Sequence, residues 1–404
     1  MEYRNNNLYV EKVNTNFLSK KIKTPFYCYS LSKLKNNIKE FKKNFYEINP
    51  LICFSVKSNN NLNILRIIGK FGLGADVVSK GELLRALKAG INPDKIVFSG
   101  VGKTLDEINF ALQKKILLIN AESENEVRNI ESIAKKKNKK VDIGLRLNPN
   151  IDAKTLKKIS TGRNKDKFGI SEKDFIRLLK KYNNSQNLNI KCLSVHIGSQ
   201  ILDYKPYLKM MNVIDGIIKK TNFKFEYIDL GGGMGIEYNK NSKKLNYKKY
   251  RLIIKKFLRR HKVKIIFEPG RSIVGNTGIL ISKVIYLKSS GNKNFVIMDA
   301  AMNDFMRPAL YGSKHQIVPA KKNRTIIKKI HDFVGPICET TDIFLSVPSY
   351  QKIKENDTMA ICDVGAYGIV LASNYNLRTK PAEILINKSN IKIISKKENL
   401  KKII

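Results

Sequence analysis

Lys57 closes the apolar run Leu51-Ile-Cys-Phe-Ser-Val-Lys57 and puts an ammonium where a buried strand should end. Desolvation there disfavours the charged amine and frees the neutral form as a nucleophile toward a carbonyl, the chemistry of imine formation. The same position also suits a lysine that merely extends its head to water. Its company decides between the two. Asp76 and Ser79 end a second apolar run, and Arg146 and Asn148 close a fifth. His196-Ile-Gly-Ser199-Gln200 follows a sixth, Gly231-Gly-Gly-Met-Gly235 a seventh and Glu268-Pro-Gly-Arg271 an eighth. A glycine cluster lets backbone N–H groups approach an anion, although it equally makes a tight turn. Glu268 is a carboxylate able to keep a bound pyridine nitrogen protonated, or else a salt-bridged strand-end residue. His196 reads either as a face for a flat ring or as a satisfied buried histidine.

The elements that must carry these residues are short and regular. Apolar runs recur at Leu51–Val56, Leu73–Val78, Ile96–Ser99, Ile116–Ile119, Val141–Leu147, Ile190–Val195, Phe225–Leu230 and Val263–Phe267. Helix-like segments fill the gaps. One of them, from Gly81 to Gly90, stops on glycine followed by Ile-Asn-Pro. Eight strands alternating with helices predict an α/β (β/α)8 barrel, with a doubly wound open sheet as the competing architecture. Polar motifs just after the strands would then share one end of the barrel, where such folds place catalysis.

After about residue 280 the helical rhythm gives way to strand-like runs at Ile279–Leu287, Phe295–Met298, Thr325–Phe333, Met359–Asp363 and Ala382–Ile386. The expected organisation is an N-terminal segment (1–32) joining a β domain, a barrel (33–278), a β-rich C-terminal domain (279–395) and a frayed Lys-rich tail (396–404).

Composition narrows the class. No apolar stretch reaches membrane-spanning length, and Met1-Glu-Tyr-Arg-Asn-Asn-Asn has no signal-like apolar region, so a soluble cytoplasmic protein is expected. Five scattered cysteines form neither a disulfide framework nor a metal pattern. The formal charge of +42 raises a nucleic-acid reading. The lysines, however, are spread along the whole chain among many Asn and Ile, as AT-rich codon usage would produce. No nucleic-acid partner, membrane or metal is expected.

Together these motifs resemble the fold-type III pyridoxal-phosphate-dependent decarboxylases, from about Thr24 to Glu383. The resemblance runs through Phe54-Ser-Val-Lys-Ser-Asn59, Gly74-Ala-Asp-Val-Val-Ser79, Thr161-Gly162 with Lys167-Phe-Gly169, His196-Ile-Gly-Ser-Gln200 and Glu268-Pro-Gly-Arg271. It continues through Asp299-Ala-Ala-Met-Asn303, Arg307-Pro-Ala-Leu-Tyr311, Gly335-Pro-Ile-Cys-Glu339 and Gly365-Ala-Tyr367. It implies pyridoxal 5'-phosphate held through an imine on Lys57, with His196 on its ring and Glu268 at its ring nitrogen. Gly232, Gly233, Gly235, the Pro269-Gly270-Arg271 backbone and Tyr367 would hold the phosphate. Arg271, Arg307, Tyr311, Glu339 and Tyr367 would hold the substrate, and Cys338 would protonate the carbanion. It further implies a homodimer with shared sites, Cys338 serving the partner chain. Thr340 stands where the family usually has Ser, and Met234 where Leu is common.

The branch that resembles this chain most acts on meso-diaminopimelate and releases L-lysine and CO2, the final step of lysine biosynthesis. Paired cation and anion, Arg307 and Glu339, suit a substrate whose far end is an amino acid. The alternatives are a sibling acting on ornithine, arginine or carboxynorspermidine, a non-catalytic binder of the cofactor, and a basic nucleic-acid binder. An alanine racemase fits less well, because that sibling pairs the ring nitrogen with arginine.

Overall fold

The computed structural model describes residues 1–153, 161–238 and 243–404. The chain divides into two units, each with its own core. One, the barrel unit, spans Lys39–Ile236 and Lys243–Ser272; the other, the β unit, comprises Met1–Ile38, Ile273–Ile404 and a short insert beginning at Glu237.

In the barrel unit, eight parallel strands close on themselves: Leu51–Ser55, Gly74–Val77, Ile96–Phe98, Leu118–Ala121, Val141–Arg146, Leu188–Ser194, Tyr227–Asp229 and Lys264–Phe267. The eighth returns to the first through Ile266↔Leu51 and Phe267↔Ile52. The strands read as continuous apolar runs because helices cover the sheet from outside while side chains fill it from within. Cys53, Val97, Leu118, Cys192 and Ile266 form one fully buried cluster. Several helices start on capping side chains: Asn61, Ser79, Thr104, Ser123, Ser171 and Asn246 each accept a first-turn N–H. Ser79, read from sequence as a strand-end chemical residue, thus caps the helix Lys80–Lys88. Observed strands differ from the expected ones by up to two residues, the fourth most, because Leu118–Ala121 begins after the turn that Lys115 makes at φ 50°.

The β unit is built on one sheet. Its strands run Ile343–Val347, Ile330–Val334, Lys293–Met298, Gly278–Ser290, Phe26–Ser30, Ala382–Asn387 and Asn390–Ser395 in spatial order. Thr358–Ile361 branches from Gly278–Ser290 and carries Ile317–Pro319. Phe26–Ser30 sits between Gly278–Ser290 and Ala382–Asn387, so the N-terminus belongs to this sheet. An N-terminal meander, Glu2–Arg4, Asn7–Val10 and Val13–Asn14, adds Leu8, Val10 and Val13 to the same core.

Two expectations are corrected here. Thr325–Phe333 is not one strand but two, Ile326–Ile327 and Ile330–Val334, pairing with different partners across Lys328-Lys329. The Lys-rich tail is not free along its whole length: the Glu398 N–H donates to Lys380 O at 3.1 Å, and Lys397 Nζ donates to Thr24 O at 3.3 Å.

Candidate active site

Lys57 lies in a single 3-10 turn, Val56–Ser58, directly after the first barrel strand. Its Nζ stands 3.3 Å from Asp76 Oδ2, which also accepts from Ser55 Oγ at 2.8 Å. The sequence predicts a partly desolvated lysine at this strand end. Its side chain is 39% exposed and rests against a fully buried carboxylate. Asp76 Oδ1 is buried with no hydrogen-bond partner among the described residues.

Glu268 follows the eighth strand and is nearly buried. Its N–H donates to Gly231 O at 2.8 Å, and its Oε1 accepts from Ser99 Oγ at 3.2 Å. The next residue, Pro269, accepts the Ser55 N–H at 3.1 Å, so this segment is sewn to the strand that bears the lysine. Gly270 must be glycine: a Cβ there would fall 2.9 Å from Ser58. Burial pushes the Glu268 carboxyl well above the usual range, and the negative charges of Asp229 and Asp76 push it further, while Lys57 opposes them.

Asp229, the last residue of the seventh strand, is fully buried. It accepts from Gly231 N at 2.9 Å, Asn120 Nδ2 at 3.0 Å and Ser194 Oγ at 3.2 Å. It also hydrogen-bonds Glu268, and burial raises its pKa as well. Three donors favour charge on Asp229, so the proton between the two carboxyls resides on Glu268. The sequence reading missed Asp229. Its signal was an acid between the apolar Ile228 and Leu230, one residue before the expected end.

His196 follows the sixth strand, and its Nδ1 accepts the Gly232 N–H at 3.1 Å. That bond leaves the proton on Nε2. Burial, with the positive charges of Arg146 and Lys57, holds the ring neutral by lowering its pKa well below 6.5. The glycine loop packs as tightly as backbone allows. A Cβ on Gly232 would lie 2.2 Å from Glu268 O, and one on Gly231, at φ +62°, would lie 2.4 Å from His196 Nδ1. Gly233 and Gly235 complete this side-chain-free wall, against Gly198 and Gln200. Arg271 is buried and donates to Ser199 Oγ at 3.1 Å. Arg146 pairs with Glu122 at 2.8 Å over the face of Phe168, a buried brace for the loop bearing Gly169. Asn148 is structural too, donating to Arg163 O and Phe168 O.

The remaining expected residues all belong to the β unit. Arg307 opens the short helix Arg307–Tyr311, with its guanidinium carbon 5.8 Å from the Tyr311 ring centre. Cys338 and Glu339 are exposed on a loop held by Asp342, which accepts from Ile337 N at 2.8 Å and Met302 N at 2.7 Å. Glu339 accepts from Tyr375 and Thr341, which hold its carboxyl below the usual range. Tyr367 takes a left-handed backbone, φ 55°, in the loop after Thr358–Ile361. The structure therefore collects Lys57, His196, Gly232, Gly233, Gly235, Glu268, Pro269, Gly270 and Arg271 on the barrel. It collects Arg307, Tyr311, Cys338, Glu339 and Tyr367 on the β unit.

An amine against a buried carboxylate, a neutral imidazole, a proton-holding carboxyl and a glycine wall fit a flat aldehyde with a basic ring nitrogen and an anionic tail. Pyridoxal phosphate has that form. The described residues contain no cluster of three or more His, Cys, Asp or Glu side chains able to hold a metal, and no helix long and apolar enough to cross a membrane.

Comparison with known proteins agrees with this chemistry. Residues 31–275 match the family described as pyridoxal-dependent decarboxylase, pyridoxal binding domain, and the chain belongs to that family. Within it, the chain is similar to diaminopimelate decarboxylases. The Aquifex aeolicus enzyme is 40% identical over 404 residues, covering 99% of this chain and 95% of the relative. The crystal structure of diaminopimelate decarboxylase from Helicobacter pylori complexed with L-lysine is 41% identical, with a TM-score of 0.91 over 96% of this chain and 98% of that one. The enzyme from M. jannaschii, also in complex with L-lysine, is 33% identical, with a TM-score of 0.93 over 99% of this chain and 95% of that one.

Proposed function

We propose that this chain decarboxylates meso-diaminopimelate to L-lysine and CO2, the last step of lysine biosynthesis, with pyridoxal phosphate as cofactor. The observation that carries the reading is Lys57, Asp76, Asp229 and Glu268 gathered at one end of one barrel. Lys57 holds the cofactor, and Asp76 orients the amine. Glu268 faces the ring nitrogen, His196 covers the ring, and the Gly232–Gly235 loop with the Pro269–Arg271 backbone and Tyr367 binds the phosphate. Bound there, the cofactor supplies a sink for the electron pair left when CO2 departs. Arg307 and Tyr311 grip the distal carboxylate, Glu339 takes the distal ammonium, and Arg271 and Tyr367 complete the substrate contacts. The Cys338 thiol gives its proton to the carbon that has lost CO2. The exposure of Cys338 and Glu339 suits service to a second copy, so the working species in this reading is a head-to-tail homodimer. Five free cysteines fit a reducing cytoplasm.

The test offers meso-diaminopimelate, ornithine and arginine in parallel and follows CO2 and product. A substrate without the distal carboxylate forgoes the charged hydrogen bonds Arg307 would make to it, at a cost of about 2–5 kcal/mol, or roughly 30- to several-thousand-fold in kcat/KM. Comparable turnover of ornithine would overturn the substrate while leaving the decarboxylase class standing.

A further inference from the structure

We infer that His315 is a positioning residue that aims the Arg307 guanidinium at the distal carboxylate; this rests on the substrate reading above. His315 is 1% exposed, and its Nδ1 lies 2.8 Å from Cys362 O. A carbonyl only accepts, so Nδ1 carries the proton and Nε2 offers a lone pair. Arg307 Nε–H donates to that lone pair at 3.4 Å. A guanidinium has no acceptor, so the chain Arg307–His315–Cys362 closes in one tautomer only. The imidazole is also gripped edge-on by Tyr238 at 4.8 Å and Phe305 at 4.7 Å between ring centres. Tyr238 then lies 5.7 Å from the guanidinium carbon, adding a π face to the same clamp.

Two consequences follow for recognition. Arginine meets a carboxylate through either of two forks, one using Nε and one using the two terminal nitrogens. With Nε–H committed to His315, the terminal fork is the one directed at the ligand. The partner chosen for Nε is also neutral. A glutamate there would hold the guanidinium as firmly but would cancel the charge the ligand needs. An imidazole in this tautomer fixes direction without neutralising.

The experiment compares five holoenzyme variants by KM and kcat for meso-diaminopimelate and by equilibrium binding of L-lysine, whose amino-acid end occupies the same distal site. His315→Asn keeps a donor for Cys362 O but is too short to reach Arg307. It should raise KM and weaken L-lysine about tenfold, with kcat within about threefold. His315→Gln, long enough to present an oxygen to Nε, should restore both to within about threefold. Arg307→Lys, which has no fork to aim, should resemble His315→Asn and gives a second route should that variant fold poorly. Adding His315→Asn to Arg307→Ala should cost less than about twofold more. An unchanged KM in His315→Asn, or equal damage in Asn and Gln, would overturn the inference. If Arg307→Ala leaves KM and L-lysine affinity unchanged, the substrate reading falls and takes this inference with it. If Arg307→Ala is impaired and His315→Asn is not, the inference alone falls.

Discussion

Asp229, ending the seventh barrel strand, and Glu268, just past the adjacent eighth, are hydrogen-bonded carboxyls, and the proton between them sits on Glu268. Glu268 can hand that proton to a basic ring nitrogen, and the negative Asp229 beside it steadies the positive ring that results. Glu268→Gln should therefore lower kcat at saturating substrate by about 100-fold or more while changing cofactor affinity less than about tenfold. Asp229→Asn should fall between that variant and the parent. Turnover assays paired with fluorescence titration of the cofactor separate the two quantities, and an undiminished kcat in Glu268→Gln would remove the carboxyl from the reaction.

In the proposed reading Lys57 holds the cofactor, its Nζ standing just past the first barrel strand, 3.3 Å from a buried carboxylate oxygen. Borohydride reduction of the loaded protein followed by peptide mapping should put the added mass on the peptide containing Lys57. Recovery of the label on another lysine would refute the assignment.

Cys338 tests the shared site. Lys57→Ala and Cys338→Ala chains are each expected to be inactive. Mixed and allowed to exchange, they should recover about a quarter of parental activity, since half the dimers are mixed and each has one intact site. Demonstrated exchange without recovery would place the whole site within one chain.

Glu82 gives a pH signature. It accepts the Val78 N–H at 2.9 Å, and burial, with the neighbouring Asp76 charge, raises its pKa from 4.5 to about 7. Below pH 4.5 both folded and unfolded chains hold the proton. Between 4.5 and about 7 the folded chain keeps a proton that the unfolded chain has released, so stability falls as pH rises through that window. Glu82→Gln should then match the parent near pH 4 and exceed it by about 1–2 kcal/mol at pH 8, a figure reduced for partial solvation. Denaturant melts at the two pH values check this; a pH-independent difference would count against it.

Much of the barrel was legible because strands buried on both faces leave continuous apolar runs, and polar residues at their ends stand out. Asp76 and Glu268 were found that way. Asp229 escaped because Leu230 prolonged the apparent strand past it. Ser79 was over-read, since a serine after a strand serves equally to cap the next helix. In the β unit, pattern reading failed where function depends on distant partners. Nothing adjacent in the chain ties His315 to Cys362, or Asp342 to Met302. The N-terminal meander was missed although Asn5 and Asn6, at φ 45° and 63°, form the paired left-handed turn that asparagines favour in hairpins.

The bond from Ser55 N–H to Pro269 O joins the first and last strands of the barrel, and the lysine and the Glu268 carboxyl stand on either side of that seam. During synthesis the lysine emerges long before the strand that brings its counterpart. A nascent chain lacking that strand can gather most of the barrel's apolar surface, yet it has no closed ring and no juxtaposed poles. Closure is a contact of very high sequence separation, the kind that forms late. The lysine and the Glu268 carboxyl are thus brought together only in the step that completes the ring.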